Sequence, residues 1–194
     1  GHHAAAHALI EAHDSFSGSA YEAGVELLVH ACGGGLSDIV SAVLAKGADP
    51  CCPRAADGAI AATRAASRGC VEVLEVLLQH PRVDVNQAER GGRTALHVAC
   101  QQGETRAAEF LLARGANAAL AAAGGRTPLY VAAENGSIGC VEVLLKHGGL
   151  RVEDVYQATS RLTTPISVAQ RRGHPGIAEL LYAWAESGQR LAGA

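Results

Sequence analysis

Apolar residues in this chain fall in short bursts punctuated by glycine, with no long runs. Between Gly92 and Gly115 there are two bursts: Ala95, Leu96, Val98, Ala99 and Cys100, then, past Gly103, Ala107, Ala108, Phe110, Leu111 and Leu112. Each reads as a helix of under three turns, too short to be stable alone. Thr94 suits an N-cap, and Gly103 and Gly115 can supply the left-handed residue that ends a helix. A hairpin this small cannot bury its own apolar face, so it requires copies stacked against it.

The copies are present. A shift of 33 residues carries the stretch onto Gly125-Arg126-Thr127-Pro128-Leu129-Tyr130-Val131-Ala132-Ala133-Glu134-Asn135-Gly136 and Val143-Leu144-Leu145. A shift of 34 in the other direction reaches Gly58, Ala65-Ala66-Ser67-Arg68-Gly69 and Val76-Leu77-Leu78, and a further 34 reaches Leu28, Ala31-Cys32, Gly35 and Val43-Leu44. A self-similar period in the thirties is the mark of a solenoid, in which each unit packs only on its neighbours.

The residues at the repeated positions resemble ankyrin repeats. Thr127-Pro128-Leu129-Tyr130-Val131-Ala132 and Thr94-Ala95-Leu96-His97-Val98-Ala99 are close to that family's Thr-Pro-Leu-His-x-Ala motif, Thr164-Pro165-Ile166-Ser167-Val168-Ala169 repeats it, and Gly47-Ala48-Asp49 matches its ending. The expected fold is all-α, an ankyrin-type solenoid of about five repeats with an N-terminal capping helix. The expected divisions are a cap and loop over 1–23, repeats over 24–57, 58–91, 92–124, 125–161 and 162–187, and a frayed tail over 188–194. Starting and stopping close to repeat boundaries, the chain reads as a piece of a longer protein.

Local departures from the pattern carry further expectations. An Ala-rich helix is expected over Ala4–His13, a loop over Asp14–Ala23, and a first inner helix over Val25–Cys32. Gly33-Gly34-Gly35 lacks the lysine and hydroxyl residue of a phosphate loop, so it reads as a helix terminus. Ile60-Ala61-Ala62-Thr63 replaces the threonine motif, which removes the cap. The interval from Gly136 to Gly173 is 37 residues, longer than the usual period. The extra residues, 149–157, are expected to bulge as a loop, on a face often used for binding. A last helix is expected over Ile177–Glu186, with Trp184 covering the end of the stack.

Composition narrows the classes. A formal charge of −3 gives no global reason to expect nucleic acid or membrane binding. Aromatic residues make up only 4% of the chain, which suits small, closely packed helices. Six cysteines and no secretory signal read as reduced thiols, with Cys32 and Cys100 on one repeat position as small buried side chains in an intracellular, cytoplasmic protein. Cys51-Cys52-Pro53 has no second cysteine pair at zinc spacing and reads as loop thiols. His3 and His7 have the i,i+4 spacing of a metal pair, but a solvated polar face on a capping helix accounts for them. No nucleophile elbow, His-Glu-x-x-His or P-loop is present, so no catalytic residue, metal or cofactor is expected.

What the resemblance implies is a non-enzymatic protein-interaction module binding a protein or peptide in its concave groove; the oligomeric state is left open by the sequence, with a monomer favoured. The family's variable contact positions fall on the residues before each mid-repeat glycine: Ser67 and Arg68, Gln101 and Gln102, Glu134 and Asn135, Arg171 and Arg172. They also fall on loop tips, at Asp57, Arg90, Arg93, Arg126 and Arg161. Seven of these are arginines, in a chain that is net negative. Guanidinium binds carboxylate and phosphate through paired N–H groups, so such a stripe suits an acidic peptide segment; the other reading is that an arginine before the motif threonine is common in the family as a solvated loop residue. The alternatives are a nucleic-acid surface built on the same arginines, or the recognition domain of a larger enzyme or ligase. His97, at the motif histidine, is expected to be structural. Asn86 matches the loop asparagine that is hydroxylated in some ankyrin proteins.

Overall fold

The computed structural model describes residues 2–16, 20–54, 56–147 and 149–192; side chains at 2–5, 9 and 188–192 lie outside that description. The expectations for Gly1, for the side chains of His2 and His3, for Ser17-Gly18-Ser19, for Gly148 and for the last two residues therefore fall outside it.

Twelve helices are found among the described residues, and no strand beyond two isolated antiparallel bridges, Ala88 with Thr94 and Ala122 with Arg126. In order they are α1 His2–Glu11, α2 Tyr21–Gly33, α3 Ser37–Ala45, α4 Ala61–Ala66, α5 Val71–Gln79, α6 Ala95–Gln102, α7 Thr105–Ala113, α8 Pro128–Asn135, α9 Ile138–His147, α10 Val152–Tyr156, α11 Pro165–Arg172 and α12 Pro175–Ala192. They pack in two rows. The inner row is α2, α4, α6, α8 and α11, each against the next; the outer row is α1, α3, α5, α7, α9 and α12. This is the all-α solenoid expected from the period.

The core is one continuous seam of small and branched residues between the rows. Leu96, Leu129, Cys100 and Ala133 of the inner row meet Leu74, Leu77, Leu111 and Leu144 of the outer row, all at 1% exposure or less. Alanine and cysteine at the inner positions let short helices approach closely, and that burial, at about 25 cal/mol per Å2 of apolar area, holds elements that could not stand alone. Cys32, Cys100 and Cys140 are buried, and burial pushes the Cys32 thiol up.

Helix starts follow the motif. Thr127 Oγ1 accepts from the Tyr130 N–H at 3.2 Å, while Thr164 and Ser167 cap one another reciprocally at 3.1 and 2.8 Å. Gly103, Gly136 and Gly173 close the inner helices in the left-handed conformation. In the degenerate repeat Ile60 offers no side-chain cap, but half of the motif survives: Thr63, at the position of His97, accepts from the Ile60 N–H at 3.2 Å.

Four expectations are corrected. Helix α2 begins at Tyr21, a full turn before Val25, because Phe16 is completely buried against it. A Cβ at Gly24 would stand 2.5 Å from the Cβ of Phe16, so only glycine permits that approach. The residues expected to bulge after Gly149 instead form α10, which packs on α11 and α12 through the buried Val155. The tail expected to fray continues α12 to Ala192. Helix α1 begins and ends two residues earlier than Ala4–His13, and Lys46 anchors its end: the ammonium donates to the carbonyls of Ile10 at 2.5 Å and His13 at 2.6 Å. Trp184 is half-buried against the core, covering the end of the stack as expected.

Candidate functional site

The loops between repeats stand beside the inner helices as short fingers, closed by hydrogen bonds such as Glu89 N–H to Arg93 O and Ala122 N–H to Arg126 O, each 2.9 Å. Neighbouring fingers are stitched together, Ala123 N–H donating to Gly91 O and Ser160 N–H to Gly124 O, both at 2.8 Å. Behind them His97 is buried and fixes the turn. Its Nδ1 accepts from the Thr94 N–H at 3.2 Å and its Nε2–H donates to the Arg126 carbonyl at 3.0 Å in the next repeat. Burial lowers its pKa to about 4, and the positive charge of Arg93 acts in the same direction, so the ring is neutral and structural, as the motif implied.

Between fingers and inner helices lies a cavity of about 530 Å3. From the fingers Arg90, Arg93 and Arg126 line it; from the ends of α6, α8 and α11 come Gln101, Glu134, Asn135 and Arg172. The repeat generates a recurring contact. Arg93 Nη1 donates to Gln101 Oε1 at 3.1 Å, and one repeat later Arg126 pairs with Glu134, eight residues on in both cases. Arg172 reaches Glu134 from the following repeat at 3.0 Å, so one carboxylate, largely buried, sits between two guanidinium groups. Arg93 pairs with Glu89, and the Arg126 guanidinium lies 5.7 Å over the Tyr130 ring. Among the described residues Arg90 has no carboxylate partner.

The cavity thus gathers seven of the positions expected to bind. The others lie elsewhere. Gln102 lines a smaller adjoining cavity of about 250 Å3, with Ser67 and Asp57. Asp57 itself is clasped by Arg54 and Arg64, each at 2.5 Å, and the Arg54 hydrogen bond holds its carboxyl well below the usual carboxylate range. Arg68 faces a separate cavity at the start of the stack, while Arg161 and Arg171 are exposed and line neither. Sequence reasoning missed Glu89, Tyr130 and Val131. Glu89 stands four residues before Arg93 and was findable; the pairing of Arg172 with Glu134, 38 residues apart, needed the register of the stack.

Comparison with known families gives a match over most of the chain. The family described as ankyrin repeats (3 copies) matches residues 27–122 and 118–190. The chain belongs to the ankyrin repeat family. Repeats of this family generally mediate protein–protein interaction, and proteins built from them are typically non-enzymatic. A search of curated proteins gives no match. Among the described residues no helix is long and apolar enough to cross a membrane.

Proposed function

We propose that this chain is a non-enzymatic binding module that takes an acidic peptide segment, bearing carboxylate or phosphate, in the cavity between Arg90, Arg93, Arg126 and Arg172. One observation carries the reading: four guanidinium groups line this cavity with the carboxylate of Glu134 among them, while Glu89, the partner of Arg93, lines the adjoining cavity. The pairing with Glu134 holds Arg126 and Arg172 in place before a ligand arrives, which lowers the ordering cost of binding. An incoming anion exchanges with, or bridges to, the outer N–H groups of these forks.

The test is an array of acidic and phosphorylated peptides probed with wild type and with an Arg126→Glu/Arg172→Glu variant, both shown to fold by circular dichroism. Peptides bound by wild type are expected to lose at least roughly tenfold affinity in the variant, about 1.4 kcal/mol or more. Equal binding by both proteins sinks the reading.

A further inference from the structure

The four guanidinium groups of the arginine cavity are not equally available. Arg93 is fully engaged: Nε donates to Glu89 at 2.8 Å, Nη2 pairs with the same carboxylate, and Nη1 donates to Gln101 at 3.1 Å. Arg126 and Arg172 each give one nitrogen, Nη2, to Glu134 and are otherwise half-exposed. Arg90 is exposed and has no carboxylate partner among the described residues.

The charge balance follows from these pairings. Glu89 cancels Arg93, and the buried His97 ring is neutral. Arg90, Arg126 and Arg172 then face the single carboxylate of Glu134, which leaves two positive charges unbalanced. The adjoining cavity differs, because the charged groups that line it, Asp57, Glu89, Arg64 and Arg93, cancel. The excess is therefore confined to the larger cavity.

Shape points the same way as charge. The three available arginines come from three separate elements: Arg90 and Arg126 from successive fingers, Arg172 from the end of α11. A carboxylate offers one charge and two oxygens. A phosphate monoester carries roughly −1.5 to −2 at pH 7 and three acceptor oxygens, one for each guanidinium. Arg126 is also held at both ends before any ligand arrives, its carbonyl by His97 and its guanidinium by Glu134.

We propose that the anion this cavity takes is the phosphate of a phosphorylated side chain in a partner protein, bound by Arg90, Arg126 and Arg172. The inference rests on the reading of the cavity as a peptide site and narrows its ligand from either anion to one. It also makes the contact conditional, since the unmodified hydroxyl brings no charge to balance the excess.

The experiment screens an array of phosphoserine peptides with random flanks against the full chain. The best binders are then remade with serine, glutamate or a glutamate pair in place of phosphoserine and measured by fluorescence anisotropy. The phosphoserine form is expected to bind at least roughly tenfold tighter than the glutamate form, with no binding of the serine form. Arg90→Gln should abolish that preference, because it leaves an excess that one carboxylate balances, and its exposed site should let the variant fold. Equal binding of the glutamate or glutamate-pair form overturns the proposal, as does a phosphate preference that survives Arg90→Gln. So does displacement of the peptide by equimolar inorganic phosphate or single-stranded oligonucleotide, which would assign the phosphate to another source. Acidic peptides that bind without phosphate preference, and are lost in Arg126→Glu/Arg172→Glu, sink this inference alone; binding of neither anion sinks the peptide site with it.

Discussion

Two residues carry effects that contacts alone would not suggest. Neutral His97 is buried between Thr94 and the Arg126 carbonyl, with its pKa lowered from 6.5 to about 4. The unfolded chain therefore binds the proton first as pH falls, and stability rises with pH across that window. The contribution is intact above about pH 6.5 and is progressively lost toward pH 4, by about 3 kcal/mol for this shift. Urea titrations at pH 7 and pH 4 should show that much less pH dependence in His97→Gln than in wild type; parallel curves would refute it. Leu162 is the second. It holds φ +57°, alone among the described non-glycine residues, at the finger position filled by Gly92 and Gly125 in sister loops, and it is 87% exposed. A left-handed leucine is unfavourable and this one packs on little, so Leu162→Gly should stabilise the fold by about 1 kcal/mol, read as a higher midpoint in thermal melts.

Among the elements, α1 depends most on a single side chain. Lys46 supplies two charged hydrogen bonds to carbonyls that the end of α1 leaves open. Lys46→Met keeps the aliphatic stem and removes those bonds, at about 1–3 kcal/mol. Hydrogen exchange should then quicken in α1 and around Phe16 while α6 to α9 stay protected; uniform quickening would show that α1 is not a separate unit. The helices themselves were legible in the sequence wherever the threonine motif and closing glycine recur, since cap, apolar stripe and terminator all agree there. They were less legible at the ends. Phe16 and Gly24 make sense only as a contact between a loop and a helix, and Val155 draws inserted residues into α10 because α11 and α12 offer an apolar surface that no local pattern announces. The arginines that line the cavity between fingers and inner helices were legible by position, and so was Glu89 four residues before Arg93, but the pairing of Glu134 with Arg172 was not, because it crosses a whole repeat.

For the molecule as a whole, the ion pairs and the core separate cleanly in what they do. Most of the arginine–carboxylate pairs involve exposed guanidinium groups, and such pairs contribute little to folding. Raising salt from about 0.1 to 1 M should move folding free energy by less than about 1 kcal/mol, while binding of an acidic peptide should weaken steeply over the same range. A large loss of stability in salt would mean that the arginine lattice, and not the apolar seam, carries the fold. The packing that holds the seam together runs from each helix pair to the next. Pulled from its termini, such a chain bears the same load at every junction, and the weakest junction yields first. Each repeat that lets go releases 33 or 34 residues, or 37 at the interval from Gly136 to Gly173, roughly 110–130 Å of extended chain, so a force–extension trace should show successive teeth of that length: the molecule is built as a spring that gives way one coil at a time.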